Sequence, residues 1–149
     1  MRAITLWEPW ATLIALGYKT IETRRHARFR GLVGERIAIH AGQKWDEFAR
    51  AKTLLYLGAL RFNRALGRRH PWGEIVCTAF VDGFLQLESR YSRQALCECG
   101  PHLYGIALTD VRAVDPPVPC TGHQGIWHVP ADLLDRVGLT ESPSRRVTE

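Results

Sequence analysis

The chain has 149 residues, 46% hydrophobic and 23% charged, which suits one domain around a single core and is too apolar for a disordered segment. No apolar run approaches the ~20 residues of a membrane-spanning helix. The opening Met1-Arg2-Ala3-Ile4-Thr5-Leu6 begins a strand-like alternation rather than a secretory leader, so a cytoplasmic location and no membrane partner are expected. The net charge of +5, carried by 17 arginines against 3 lysines, is compatible with a polyanionic partner such as nucleic acid, and equally with arginines that only solvate a surface.

Alternation in Ala3-Ile4-Thr5-Leu6 predicts a first strand. Pro9 fits the first turn of a helix, Glu8 suits the positive end of its dipole, and Trp10, Leu13 and Ile14 recur at helical spacing until Gly17 ends the element. A strand over residues 20–24 follows, with Glu22 and Arg24 on one face and Ile21, the expected core anchor, on the other. Arg24, Arg25, His26, Arg28 and Arg30 form a basic loop. Residues 35–42 read as a strand with Ile37 and Ile39 on one face and Ala38 and His40 on the other. The stripe of Trp45, Phe48, Ala49, Tyr56 and Leu60 predicts one helix over residues 45–60, followed by a basic stretch broken by Gly67. Pro71-Trp72-Gly73 is turn chemistry ahead of a strand over 74–81. Residues 89–101 read as a loop with one helical turn, 104–111 as a strand and 115–119 as a rigid extended connector. A short strand over 125–129 and a helix over 131–137 complete the pattern, and residues 141–149 read as a frayed tail.

Five or six short strands with few helices predict an α+β, mainly β fold, a small β-barrel or curled sheet with helical insertions in a single domain over residues 1–140. The strands do not alternate with long helices, which excludes a doubly wound fold. There is no internal repeat.

The densest chemistry lies in Gly17-Tyr18-Lys19-Thr20-Ile21-Glu22-Thr23-Arg24. Three charges in a short strand are costly unless they face water, pair or meet a ligand. One reading is a surface ion-pair ladder of little energetic value. The other is a polar cluster in which Lys19 acts as base or clamp, Glu22 orients it or moves protons, and Arg24 holds an anion by its fork. His40 stands at a strand end among small neighbours; it reads either as a structural residue or as an assisting group. Trp7, beside the basic cluster, is a candidate to stack a nucleobase, whereas Trp10 in the helix stripe reads as core. In Gly122-His123-Gln124-Gly125-Ile126-Trp127, Gln124 and Trp127 are ligand candidates, with an ordinary turn as the alternative. Cys97, Cys99, His102 and Cys120 hint at zinc, but the Cys-x-Cys spacing suits a metal knuckle poorly, so reduced thiols and no cofactor are expected.

Together, Leu6-Trp7-Glu8-Pro9-Trp10-Ala11, Gly17-x-Lys19-Thr20-Ile21-Glu22-x-Arg24, Ile37-x-Ile39-His40-Ala41 and Gly122-x-Gln124-Gly125-Ile126-Trp127 closely resemble the ASCH domain family of the PUA-like superfamily of small β-barrels. The resemblance spans residues 3–130, and the segment His40-Ala41-Gly42-x-Lys44-Trp45 is similar to the small single-domain ASCH proteins of bacteria and phages and their eukaryotic relatives. It implies binding of RNA or a modified nucleotide in a cleft lined by Lys19, Glu22 and Arg24, with Trp7, His40, Gln124 and Trp127 as further contacts. It also implies an alternative, hydrolysis of RNA or a modified nucleoside with Lys19, Glu22, Arg24 and His40 as the catalytic candidates. A protein-interaction role, as in transcriptional coregulators, is the third possibility. One amidohydrolase group of the family uses a lysine, a threonine and a distant glutamate. Lys19 matches the lysine, but Glu22 occupies the threonine position and Glu74 stands in a different local context from the distant acid.

Overall fold

The computed structural model describes residues 1–67 and 69–138; the tail expected at 141–149 lies outside them. The alternation at the start forms β1 (Arg2–Glu8), with Ile4 and Leu6 buried and Trp7 exposed. Helix α1 (Trp10–Ala15) follows at once. Its first turn is capped by the preceding carboxylate: Glu8 Oε2 accepts from the Thr12 N–H at 3.0 Å, and Oε1 accepts from the Thr12 hydroxyl at 2.5 Å. An anion satisfying open helical N–H groups is the expected role of an acid here. The helix ends where Gly17, at φ +80, adopts the left-handed conformation that a side chain would resist. The Tyr18 and Lys19 N–H groups then both bond the Leu13 carbonyl, at 3.0 and 3.1 Å. That turn delivers the chain into β2 (Ile21–Arg24).

A 3₁₀ turn over Arg28–Leu32 buries Phe29 and Leu32 within the basic loop and leads to β3 (Arg36–Trp45). Two helices, α2 (Ala49–Leu57) and α3 (Ala59–Leu66), separate β3 from β4 (Glu74–Gln86). The single helix expected over 45–60 is thus corrected. Trp45 still pairs with Glu8 as strand, and Asp46 Oδ1 accepts from the Phe48 N–H at 2.9 Å to open the helical segment. Gly58, at φ +82, breaks it in two. The stretch read only as basic carries α3, whose Phe62 is fully buried.

After a 3₁₀ turn, α4 (Ser92–Ala95) is the expected single helical turn, and β5 (Tyr104–Pro119) runs straight through the proposed proline connector. Prolines fit there because β2 pairs only with Tyr104–Ala107 of β5, so beyond that point one side of β5 needs no donors. Strand β6 (Ile126–His128) and the short α5 (Leu134–Val137) complete the chain.

Among the described residues, six strands form one mixed sheet in the order β2-β5-β4-β3-β1-β6, with β1 and β3 parallel and the other pairs antiparallel. Register shifts in the β3–β4 and β4–β5 pairings bend these strands, and the sheet curls into a half-barrel. Ile4, Leu6, Ile37, Ile39, Ala79 and Ile106 fill the concave side with Ile14 of α1. Ala3, Ala38, Ile75 and Trp127 form a second cluster on the opposite face, closed by Val137. The alternation of Ile37 and Ile39 against Ala38 is therefore realised with both faces buried. Ile21 is buried as expected, but in a satellite cluster with Leu87, Ala95 and Cys99 rather than in the main core.

Candidate functional site

The sheet order leaves β2 at one end and β6 at the other, and the candidate site is the seam between them. A hollow of about 580 Å³ is lined by Glu22, Arg24, His26 and Arg28 on the β2 side. Thr5, Trp7 and the segment Gln124–Ile126 line it on the β1–β6 side. A second hollow, about 820 Å³, shares Thr5, Trp7 and Gln124 and continues past His40, Lys44 and Trp72. A third, about 680 Å³, shares Trp10, Glu22, Arg24 and His26 and continues past Lys19, Asp46, Lys52 and His102.

The strand parity of β2 sends Glu22 and Arg24 into this seam while Ile21 packs away from it. Lys19 is 2% exposed and Glu22 7% exposed, so both charges have left water and must be partnered. The Lys19 ammonium donates to the Ala95 carbonyl at 2.5 Å, stands 3.7 Å from Glu22 Oε2 and lies 5.0 Å above the Trp10 ring. Glu22 Oε1 is 3.9 Å from Arg24 Nη2. The Arg24 guanidinium covers the Phe29 ring at 4.5 Å, and its Nε is buried without a hydrogen-bond partner. Glu22 thus stands between two cations, one sealed against the backbone and one half-open to the hollow. A surface ladder does not describe this arrangement.

Trp10, expected as core, is half-buried and lines two of the hollows. Its indole N–H donates to Asp46 Oδ2 at 3.0 Å, and Lys52 Nζ bonds the same oxygen at 2.8 Å while sitting 5.8 Å from the ring. Burial opposes ionisation of Asp46, but Lys52, the Phe48 N–H and the Trp10 indole outweigh it and hold its carboxyl below the ordinary range. Sequence reasoning missed Asp46 and Lys52. The signal that could have found Asp46 is a helix-opening acid directly after a strand.

The other expected contacts divide. Trp7 is 51% exposed and Gln124 is exposed, both on the wall shared by the first two hollows. His40 lines only the second hollow; its Nε2 bonds the Cys120 carbonyl at 2.8 Å, and burial pulls its pKa below the ordinary 6.5. It is not gathered with Lys19. Gly122 packs on this ring so closely that a Cβ there would lie 2.5 Å from His40 Cε1. Trp127 lines none of the three hollows: it is buried in the second cluster, its indole N–H donating to Thr5 Oγ1 at 3.1 Å, and it backs the site rather than facing it.

The zinc alternative finds no assembled ligand set. Cys97 and His102 line the third hollow and Cys120 the second, and no three His, Cys, Asp or Glu side chains converge among the described residues. Burial and the neighbouring Cys97 push the Cys99 thiol up to about 11, and burial with the nearby Glu8 charge pushes Cys77 up to about 12. Neither is primed as a thiolate. Glu74, the first residue of β4, lines none of the three hollows.

Residues 4–117 match the family model of the ASCH domain. The chain belongs to the ASCH domain family. Crystal structures of ASCH from Zymomonas mobilis share its fold. The unmutated protein is 17% identical, with a TM-score of 0.56 over 91% of both chains. A serine-to-alanine mutant of the same ASCH protein gives 18% identity and a TM-score of 0.58, over 91% of this chain and 92% of that one. A tyrosine-to-phenylalanine mutant gives 17% and 0.58, over 91% and 94%. At these identities the likeness shows the shared fold, a curled sheet forming a half-barrel with several helices. No curated protein matches the chain at a significant level. No helix among the described residues is long and apolar enough to cross a membrane.

Proposed function

We propose that this ASCH domain binds RNA, or a nucleotide derived from it, in the seam between β2 and the β1–β6 edge. The observation that carries the reading is the Arg24 guanidinium. It is half-buried over Phe29, with an unpartnered Nε, beside an open hollow. The Nε itself is closed to solvent, so an anionic oxygen entering the hollow would be taken by the exposed part of the fork. Glu22 holds the fork in place and supplies a carboxylate that can accept from a base N–H. Trp7 offers an indole face on which a base can stack, and Gln124 an amide with both donor and acceptor. Ionic attraction from Arg24, Arg28 and the net charge of +5 is of the sign a phosphate needs.

Lys19 serves best here as an electrostatic clamp. Its ammonium donates to the Ala95 carbonyl and stands behind Glu22. The same contact supports one second reading, hydrolysis of RNA or a modified nucleoside, because an adjacent amine and carboxylate can exchange a proton. Incubation with labelled RNA separates the two. Binding alone predicts salt-dependent affinity that falls with Arg24→Ala and intact RNA recovered afterwards. Hydrolysis predicts products that disappear in Lys19→Met while affinity persists. Capture of a protein partner after nuclease treatment, with no RNA affinity, would overturn both.

A further inference from the structure

The second hollow is larger than the first and opens off the same wall, yet none of the Lys19-Glu22-Arg24 cluster reaches it. Its furnishing differs. Trp7 forms the partition, 51% exposed, with Lys44 Nζ 5.5 Å from its ring; Trp72, 43% exposed, stands in the lining of the second hollow alone. No carboxylate among the described residues lines it. Large aromatic rings are normally buried, and two indoles left half-open along one cavity beside an unopposed lysine need a reason. Each hollow alone has the volume of a small-ligand site. Two such hollows separated by one indole have the repeating layout of a strand-binding groove, in which aromatic platforms alternate with cations.

We propose that the ligand is a single strand of RNA at least two nucleotides long, threaded across Trp7 from the Arg24 hollow into the Trp72 hollow. One nucleotide lies against Arg24 and Gln124. The next lies in the second hollow, its base on the Trp72 indole and the linking phosphate near Lys44. Trp7, shared by both hollows, stacks between the two positions. This rests on the proposed function and names the substrate class of that site. The groove reads length and strandedness, because stacking and phosphate contacts are indifferent to base identity.

The test is binding of fluorescein-labelled, random-sequence RNA of one, two, four and six nucleotides to the full chain at fixed salt, with a hexamer duplex for comparison. Affinity is expected to rise about tenfold or more from one nucleotide to two, and the duplex to bind worse than the single strand. Trp72→Ala should cost the hexamer about fivefold or more, leave the mononucleotide unchanged, and be rescued by Trp72→Phe. Lys44→Gln should lower the salt slope for the hexamer by about one. A mononucleotide bound as tightly as the hexamer, with Arg24 dependence retained, overturns the threaded strand and leaves the proposed function standing. Equal losses for both ligands in Trp72→Ala also overturn it. Absence of binding at every length overturns both.

Discussion

Glu8 and Glu22 are both buried carboxylates, and they are placed in opposite ways. Glu8 is fully enclosed at the β1–α1 corner and gives its oxygens to the Thr12 N–H and hydroxyl. The His70 Nδ1 atom lies 3.8 Å from Glu8 Oε1. Among the described residues, the Glu22 carboxylate has no short hydrogen bond; it stands between the Lys19 ammonium and the Arg24 guanidinium at 3.7 and 3.9 Å, at the rim of an open hollow. A fully enclosed carboxylate, each of whose oxygens accepts from its own helix, is committed to structure. One held loosely between cations beside open space still has acceptor capacity for a ligand. Burial of charge alone therefore does not separate the two carboxylates; access to an open hollow does, and it is what makes Glu22 the candidate for ligand contact.

The largest effect that would sharpen this contrast is Glu8→Ala. Losing two hydrogen bonds to a charged group should lower the unfolding free energy by about 3 kcal/mol, read as a reduced urea midpoint, with RNA affinity of the folded fraction unchanged. A stable variant would show that Glu8 is not the structural member of the pair. Next, Arg24→Ala should weaken RNA binding about tenfold and reduce the salt slope by about one while shifting stability by less than about 1 kcal/mol. A stability loss as great as that of Glu8→Ala would erase the distinction. Trp7→Ala should likewise cost about fivefold to tenfold in affinity, measured by anisotropy at one salt concentration, with little change in melting temperature.

The smallest effect concerns His40. Its folded pKa is depressed chiefly by burial, so the unfolded chain takes up the proton first as pH falls. The His40 contribution to stability is therefore intact above the ordinary value of 6.5 and is progressively lost as pH drops below it toward the folded value. Denaturation between pH 7.5 and 5 should show this decline, and His40→Gln should flatten it. An unchanged slope in the variant would place the titration elsewhere.

Much of the fold follows from local signals. Alternation along β1 and β3, the glycine that ends α1 and the Pro71-Trp72-Gly73 turn ahead of β4 each carry a backbone preference that survives folding. The insert between β3 and β4 did not follow. Trp45 supplies helical spacing, but pairing with Glu8 keeps it in the strand, and a glycine at positive φ divides what periodicity joins. The prolines of β5 read as a linker because their tolerance depends on which neighbouring strand ends first.

The site shows the same division. By itself the sequence determined that Lys19, Glu22 and Arg24 lie close together, because a helix stop followed by a period-two strand fixes their spacing and facing within a few residues. It also determined that Trp7 and Gln124 have the chemistry of ligand contacts. Only the tertiary structure decided that β2 and β6 are the two ends of one curled sheet, which opposes Arg24 to Gln124 across a seam. It also set Trp10 at the core edge with its indole N–H on Asp46, sent Trp127 behind the wall and separated His40 from the lysine. These are contacts between residues far apart in the chain, and they depend on sheet order and curvature, which no local propensity encodes.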